Sequence, residues 1–133
     1  MAGAASNYLE GKILDHVLTS SAYTQPARYV ALFTSDPGET GSFTGEVSTS
    51  GTAYSRQAVT FAAASSGTSA TNATVTFSAA TASWGTIGYV AICDSGSAGA
   101  GNVLFYGPVT VSKTIDTGDT FQITSGNLTV SLD

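Results

Sequence analysis

Asn7-Tyr8-Leu9-Glu10-Gly11-Lys12-Ile13-Leu14-Asp15-His16-Val17-Leu18 is the stretch of this chain whose apolar residues recur with a helical period. Leu9, Ile13, Leu14, Val17 and Leu18 fall on one side of a 3.6-residue wheel, with Tyr8, Lys12 and Asp15 opposite. Asn7 suits the N-cap, and Glu10 three residues later has the spacing of a capping box. Gly11 costs about 1 kcal/mol of propensity relative to alanine, which an element held by packing tolerates. The apolar face, centred on Leu9, Ile13 and Val17, requires a partner surface. From Arg28 onward the period changes to two, or to short continuous apolar runs, so the chain reads as one helix followed by an all-β body.

The strand runs are residues 29–34, 53–61, 74–77, 87–93, 103–106, 109–111, 121–124 and 128–132. Thr, Ser and Gln occupy their outward positions and no helical pattern intervenes, which favours antiparallel pairing. The expected fold is therefore mainly β: an antiparallel β-sandwich, jelly-roll-like, with one N-terminal amphipathic helix, in a single domain spanning residues 1–133. Ser125-Gly126-Asn127 reads as a hairpin turn between the last two strands. Pro108 restricts its strand to an edge or a kink. Residues 36–52 form a long connection with Pro37-Gly38, the carboxylates Asp36, Glu39 and Glu46, and one aromatic, Phe43. Loops of this length are usually functional or mobile. Residues 62–72 and 95–101 are shorter, small-residue tips.

Composition narrows the function classes. With 42% apolar and only 10% charged residues the chain is globular rather than disordered. The net charge is −5 and the cations are Lys12, Arg28, Arg56 and Lys113, so no basic stripe exists to neutralise phosphates. Direct nucleic-acid binding and attraction to acidic membranes are not expected. Cys93 sits in an apolar run, Tyr89-Val90-Ala91-Ile92-Cys93, where it behaves as a small hydrophobe without an intrachain disulfide partner. Met1-Ala2-Gly3-Ala4-Ala5-Ser6 has no charged n-region or apolar h-region, and no stretch is long enough to span a bilayer; synthesis in the cytoplasm without a cleaved signal is expected.

No catalytic set, cofactor or metal site is expected. His16, the only histidine, follows Asp15, but adjacent helical residues diverge by roughly 100° and no serine stands in a nucleophile elbow. Asp116-Thr117-Gly118-Asp119 offers two carboxylates where calcium needs six to eight oxygens, so a turn is the simpler reading. Asp36, Glu39 and Glu46 read as solvated loop residues before they read as ion ligands. One His and one Cys leave a zinc site short of ligands. The run Gly96-Ser97-Ala98-Gly99-Ala100-Gly101 lacks the strand-loop-helix setting of a phosphate loop. Trp84, just ahead of the most apolar strand, reads as the lid of a sandwich core, with a sugar-stacking platform as the alternative.

Ser6-Asn7-Tyr8-Leu9-Glu10-Gly11-Lys12-Ile13-Leu14-Asp15-His16-Val17, Tyr29-Val30-Ala31-Leu32-Phe33-Thr34-Ser35-Asp36-Pro37 and Tyr54-Ser55-Arg56-Gln57-Ala58-Val59-Thr60-Phe61 resemble a family of small tailed-bacteriophage virion proteins labelled tail-fibre proteins. Phe77-Ser78-Ala79-Ala80-Thr81-Ala82-Ser83-Trp84-Gly85-Thr86-Ile87, Leu104-Phe105-Tyr106-Gly107, Gly118-Asp119-Thr120-Phe121 and Leu128-Thr129-Val130 continue the likeness along the chain. In size and kind the chain is also similar to the cement proteins of phage heads, and it lacks the repeats of a long fibre. The resemblance implies a non-enzymatic virion protein. The expected role is capsid decoration by clamping major capsid subunits on the head surface, as a homotrimer. The alternatives are a tail-fibre, tail-tip or baseplate subunit touching neighbouring virion subunits, and a carbohydrate-binding adhesin module. Leu9, Ile13, Val17, Phe43, Glu39 and Glu46 are the interface candidates.

Overall fold

Tyr29–Phe33 (β2) consists of five consecutive apolar residues, a pattern that a strand adopts only when both of its faces are covered. The computed structural model, which describes residues 4–132, shows how each face is covered. β2 pairs antiparallel with Gly85–Cys93, from Tyr29 opposite Cys93 to Phe33 opposite Tyr89. The other elements are β1 (Ala4–Ala5), α1 (Asn7–Leu18), β3 (Gln57–Ala58), β4 (Thr68–Ala70), β5 (Val75–Thr76), β7 (Val103–Ile115), β8 (Gln122–Ile123) and β9 (Thr129–Ser131), with Gly85–Cys93 as β6. A five-stranded sheet runs in the order β1-β7-β6-β2-β3, and β4-β9 and β5-β8 form two short ribbons. The fold is an antiparallel β-sandwich with one N-terminal helix.

Because side chains alternate across a strand, Val30, Leu32, Val90, Ile92 and Leu104 share one face of the sheet. They pack against Val75, Phe77, Phe121 and Leu128, which come from the ribbons and the segments beside them. Trp84 is 4% exposed at the end of this core, edge-on to Tyr54 (5.5 Å) and Phe77 (6.3 Å). Its indole N–H donates to the Thr52 carbonyl at 2.8 Å. An indole so enclosed offers no face to a sugar, so the lid reading holds and the platform reading does not.

Ala31, Phe33, Ala91, Cys93 and Val103 share the opposite face. The long connection covers it. Thr34 N–H donates to the Gly45 carbonyl, Val47 N–H to Leu32, and Asn7 N–H to Glu39, which draws residues 34–47 across the sheet as a strap. Phe43 is half-buried and stacks on Phe33 with ring centroids 6.5 Å apart. Gly41 permits the close pass: its φ is +70°, and a Cβ there would lie 3.1 Å from Cβ of Val103.

Three local expectations are corrected. The alternation predicts one strand over residues 53–61, yet only Gln57 and Ala58 pair with β2. The alternation survives, with Thr52, Tyr54 and Arg56 buried between exposed neighbours. Farther along β2 the edge is taken by residues 45–47 instead, with Phe33 bridged antiparallel to Glu46 and Val47 N–H donating to the Leu32 carbonyl, while Leu32 N–H donates to the Tyr54 hydroxyl (3.1 Å). The turn at 125–127 is not a hairpin: β8 pairs with β5 and β9 with β4, so it links two different ribbons. Residues 103–106 and 109–111 belong to one strand, β7. Five steps of β7 (Pro108 to Lys113) pass against two of β6 (Tyr89 to Ile87), a bulge beginning at the proline. Pro108 lies beyond the β1 pairing at Phe105 and Tyr106, so no second neighbour needs its missing N–H.

Candidate interaction surfaces

The helix is capped one residue earlier than expected. Ser6, not Asn7, is the N-cap: its hydroxyl oxygen accepts from Leu9 N–H while the hydroxyl donates to the Val103 carbonyl. Ser6 N–H donates to Leu104, so β7 itself decides where the helix starts. Glu10 lies in the first turn, where its charge suits the helix dipole, but it does not close a box with Asn7.

Only the first half of the helix is packed. Leu9 is buried and Ile13 half-buried, whereas Leu14, Val17 and Leu18 stand in solvent. The expected buried face, Leu9, Ile13 and Val17, therefore leaves the body at its third member. Beside the packed half lies an open apolar groove of about 380 Å³, walled by α1, the sheet and the β4-β9 ribbon. Leu9, Ile13, Ile92, Leu104, Val130 and Leu132 are among its lining residues, and Arg28 stands in its wall. Sequence reading missed this groove because its walls come from six separate stretches of chain. The surplus of apolar residues on α1 was its one legible sign.

The other candidates lie on the strap. Glu46 and Arg56 form a buried ion pair, 2.8 Å apart, with side chains 4% and 0% exposed. Glu46 Oε2 also accepts from Arg56 Nε and the Tyr54 hydroxyl, and Oε1 from Gly99 N–H. Arg56 Nη1 donates to the carbonyls of Ser95 and Ala100, and the guanidinium lies over the Phe43 ring at 4.9 Å. One clasp thus joins the strap, the residues before β3 and the β6–β7 loop. Burial pushes the Glu46 carboxyl up, but hydrogen bonds from Arg56, Tyr54 and Gly99 and the Arg56 charge outweigh it, and the net shift is downward. Burial and the adjacent carboxylate push the Tyr54 phenol up. Arg56 was not singled out from sequence; an arginine flanked by alternating apolar and small residues was the available signal.

Glu39 is exposed at the far end of the strap. It lies with Asp36 and Glu10 near Tyr106, whose phenol is raised first by burial and then by these three charges. The loop carboxylates Asp36 and Glu39 are thereby separated in role from Glu46, and no group of His, Cys, Asp and Glu among the described residues has the arrangement of a metal site. His16 uses Nδ1 to accept from Tyr23 N–H at 3.0 Å, fastening the chain that leaves the helix. Asp119 accepts from Asp116 N–H within a turn. Cys93 is fully buried, and burial raises its thiol to about 12. No helix among the described residues is long and apolar enough to cross a membrane.

The family model described as Podophage GP4 fiber I protein gp80 matches residues 4–131. No curated protein matches the chain.

Proposed function

Since the chain belongs to the Podophage GP4 fiber I protein gp80 family and is thus a phage virion structural protein of the fibre type, we propose that it is a subunit of a tail appendage, acting by association with neighbouring virion subunits. The observation that carries this reading is the extent of the match, residues 4–131, which takes in helix, strap and both layers of the sandwich. In such a role rigidity is the useful property. The sheet is covered on both faces, and the Glu46–Arg56 clasp ties the strap to the β6–β7 loop, so the subunit keeps its shape when its outer surface is loaded.

Capsid decoration is the second reading, favoured by the sandwich form without a fibrous repeat. Here the subunit would bridge neighbouring major capsid subunits, and each bridge would have to break before the shell opened. Imaging of virions labelled with an antibody to this chain separates the two. Label confined to the tail, with few copies per particle, supports the appendage reading; label spread over the head overturns it in favour of decoration.

A further inference from the structure

We propose that the apolar groove beside α1 receives the exposed C-terminal turn of α1 from a second copy of this chain. The proposal rests on the virion-subunit reading only in making copies neighbours; the surface is read from the structure.

Three observations specify the occupant. First, Leu14, Val17, Leu18 and Leu132 are 57%, 69%, 73% and 51% exposed. Together they leave roughly 400 Å² of apolar surface in water, the size of the largest patch on a typical monomer, which is often functional. Second, the patch and the groove are continuous. Val17 stands one turn beyond Ile13 on the same helical stripe, and Ile13 and Leu132 both line the groove. Two copies that bury this turn and these walls against each other remove about 1,000 Å² from water, where specific interfaces begin.

Third, the charges match across such a contact and across no contact within one copy. Arg28 in the groove wall donates to the Pro26 carbonyl and has no ion pair among the described residues. Asp15 is exposed at the rim of the turn that would enter, three residues before Leu18 and about 60° from it around the helix axis, and likewise has no ion pair among the described residues. The carboxylate of one copy therefore meets the guanidinium of the next. One helix end per groove is satisfied by a reciprocal pair or by a closed ring.

Light scattering and sedimentation of the full chain test this. An oligomer is expected at about 100 µM or below. Val17→Asp and Leu132→Asp should each weaken it by at least roughly tenfold with an unchanged circular dichroism spectrum, because both residues are exposed and carry little of the fold. Asp15→Lys and Arg28→Glu should each weaken it, and the two together in one chain should restore it, a result only self-association produces. A monomeric wild-type chain at about 100 µM, an oligomer indifferent to Val17→Asp, or a charge-swapped chain weaker than both single variants overturns the proposal. Each of these outcomes leaves the virion location free to be tail or head.

Discussion

Replacing Arg56 by methionine tests whether the buried clasp holds the loops to the sandwich. The side chain is 0% exposed and its partner carboxylate 4% exposed, so water takes over little of what the guanidinium supplied. Removing one member of a buried pair leaves the other charge uncompensated, at a cost of about 3–5 kcal/mol. Glu46 would retain the Tyr54 hydroxyl and Gly99 N–H, which places the expectation at the lower end of that range. The carbonyls of Ser95 and Ala100 also lose their donor, but in an exposed loop they turn to solvent. For a chain of this length the loss corresponds to a fall in melting temperature of about 10–15 °C at pH 7, followed by calorimetry. Met at both 46 and 56 should be less damaging than the worse single variant, since no charge is then stranded. Because the Glu46 carboxyl is lowered in the folded state, its contribution is present above the ordinary value of 4.5 and is lost as pH falls through the depressed value. Glu46→Gln should therefore flatten the stability profile below about pH 4.5. A loss under about 1 kcal/mol for Arg56→Met, or strictly additive costs in the double variant, would refute the clasp.

Other substitutions probe the strap, the helix start and the sheet. Phe43→Ala should cost about 1–3 kcal/mol in a urea melt, less than for a fully buried phenylalanine, because the ring is half-buried between Phe33 and Arg56; an unmoved midpoint would mean the strap is held elsewhere. Ser6→Ala should cost about 1–2 kcal/mol through the lost cap and the stranded Val103 carbonyl, whereas Asn7→Ala should stay within about 0.5 kcal/mol. Equal effects in thermal melts would return the cap to Asn7. Cys93, fully buried with its thiol raised to about 12, should resist iodoacetamide at about pH 8 until urea unfolds the chain. Mass spectrometry showing prompt labelling of the native protein would contradict the two-sided cover of the sheet.

Leu9, Ile13 and Val17 were legible as one helical stripe because helical periodicity is a local property. Their division into packed and exposed halves was not, because it depends on how far the sheet reaches beneath the helix. Phe43 and Glu46 stood out as the aromatic and a carboxylate of a long loop, yet loop length alone cannot distinguish a free segment from a strap. What decided it was the opposite face of β2, where Ala31 and Phe33 require cover. Arg56 shows the reverse case: unremarkable in sequence, it becomes central once Glu46, Ser95 and Ala100 converge on it from distant stretches.

By itself the sequence determined the helix over residues 7–18, the change to strand periodicity after Arg28, the buried runs at residues 30–33 and 90–93, and the acidic net charge. These follow from backbone periods of 3.6 and 2 and from net charge, which neighbouring residues suffice to specify. Tertiary structure alone decided that β8 and β9 take different partners, that Ser6 caps the helix from the edge of β7, that residues 34–47 close the second face, and that a groove opens beside α1. Each depends on which distant hydrogen-bonding edge or apolar face is left unsatisfied, a competition among segments that no local pattern records.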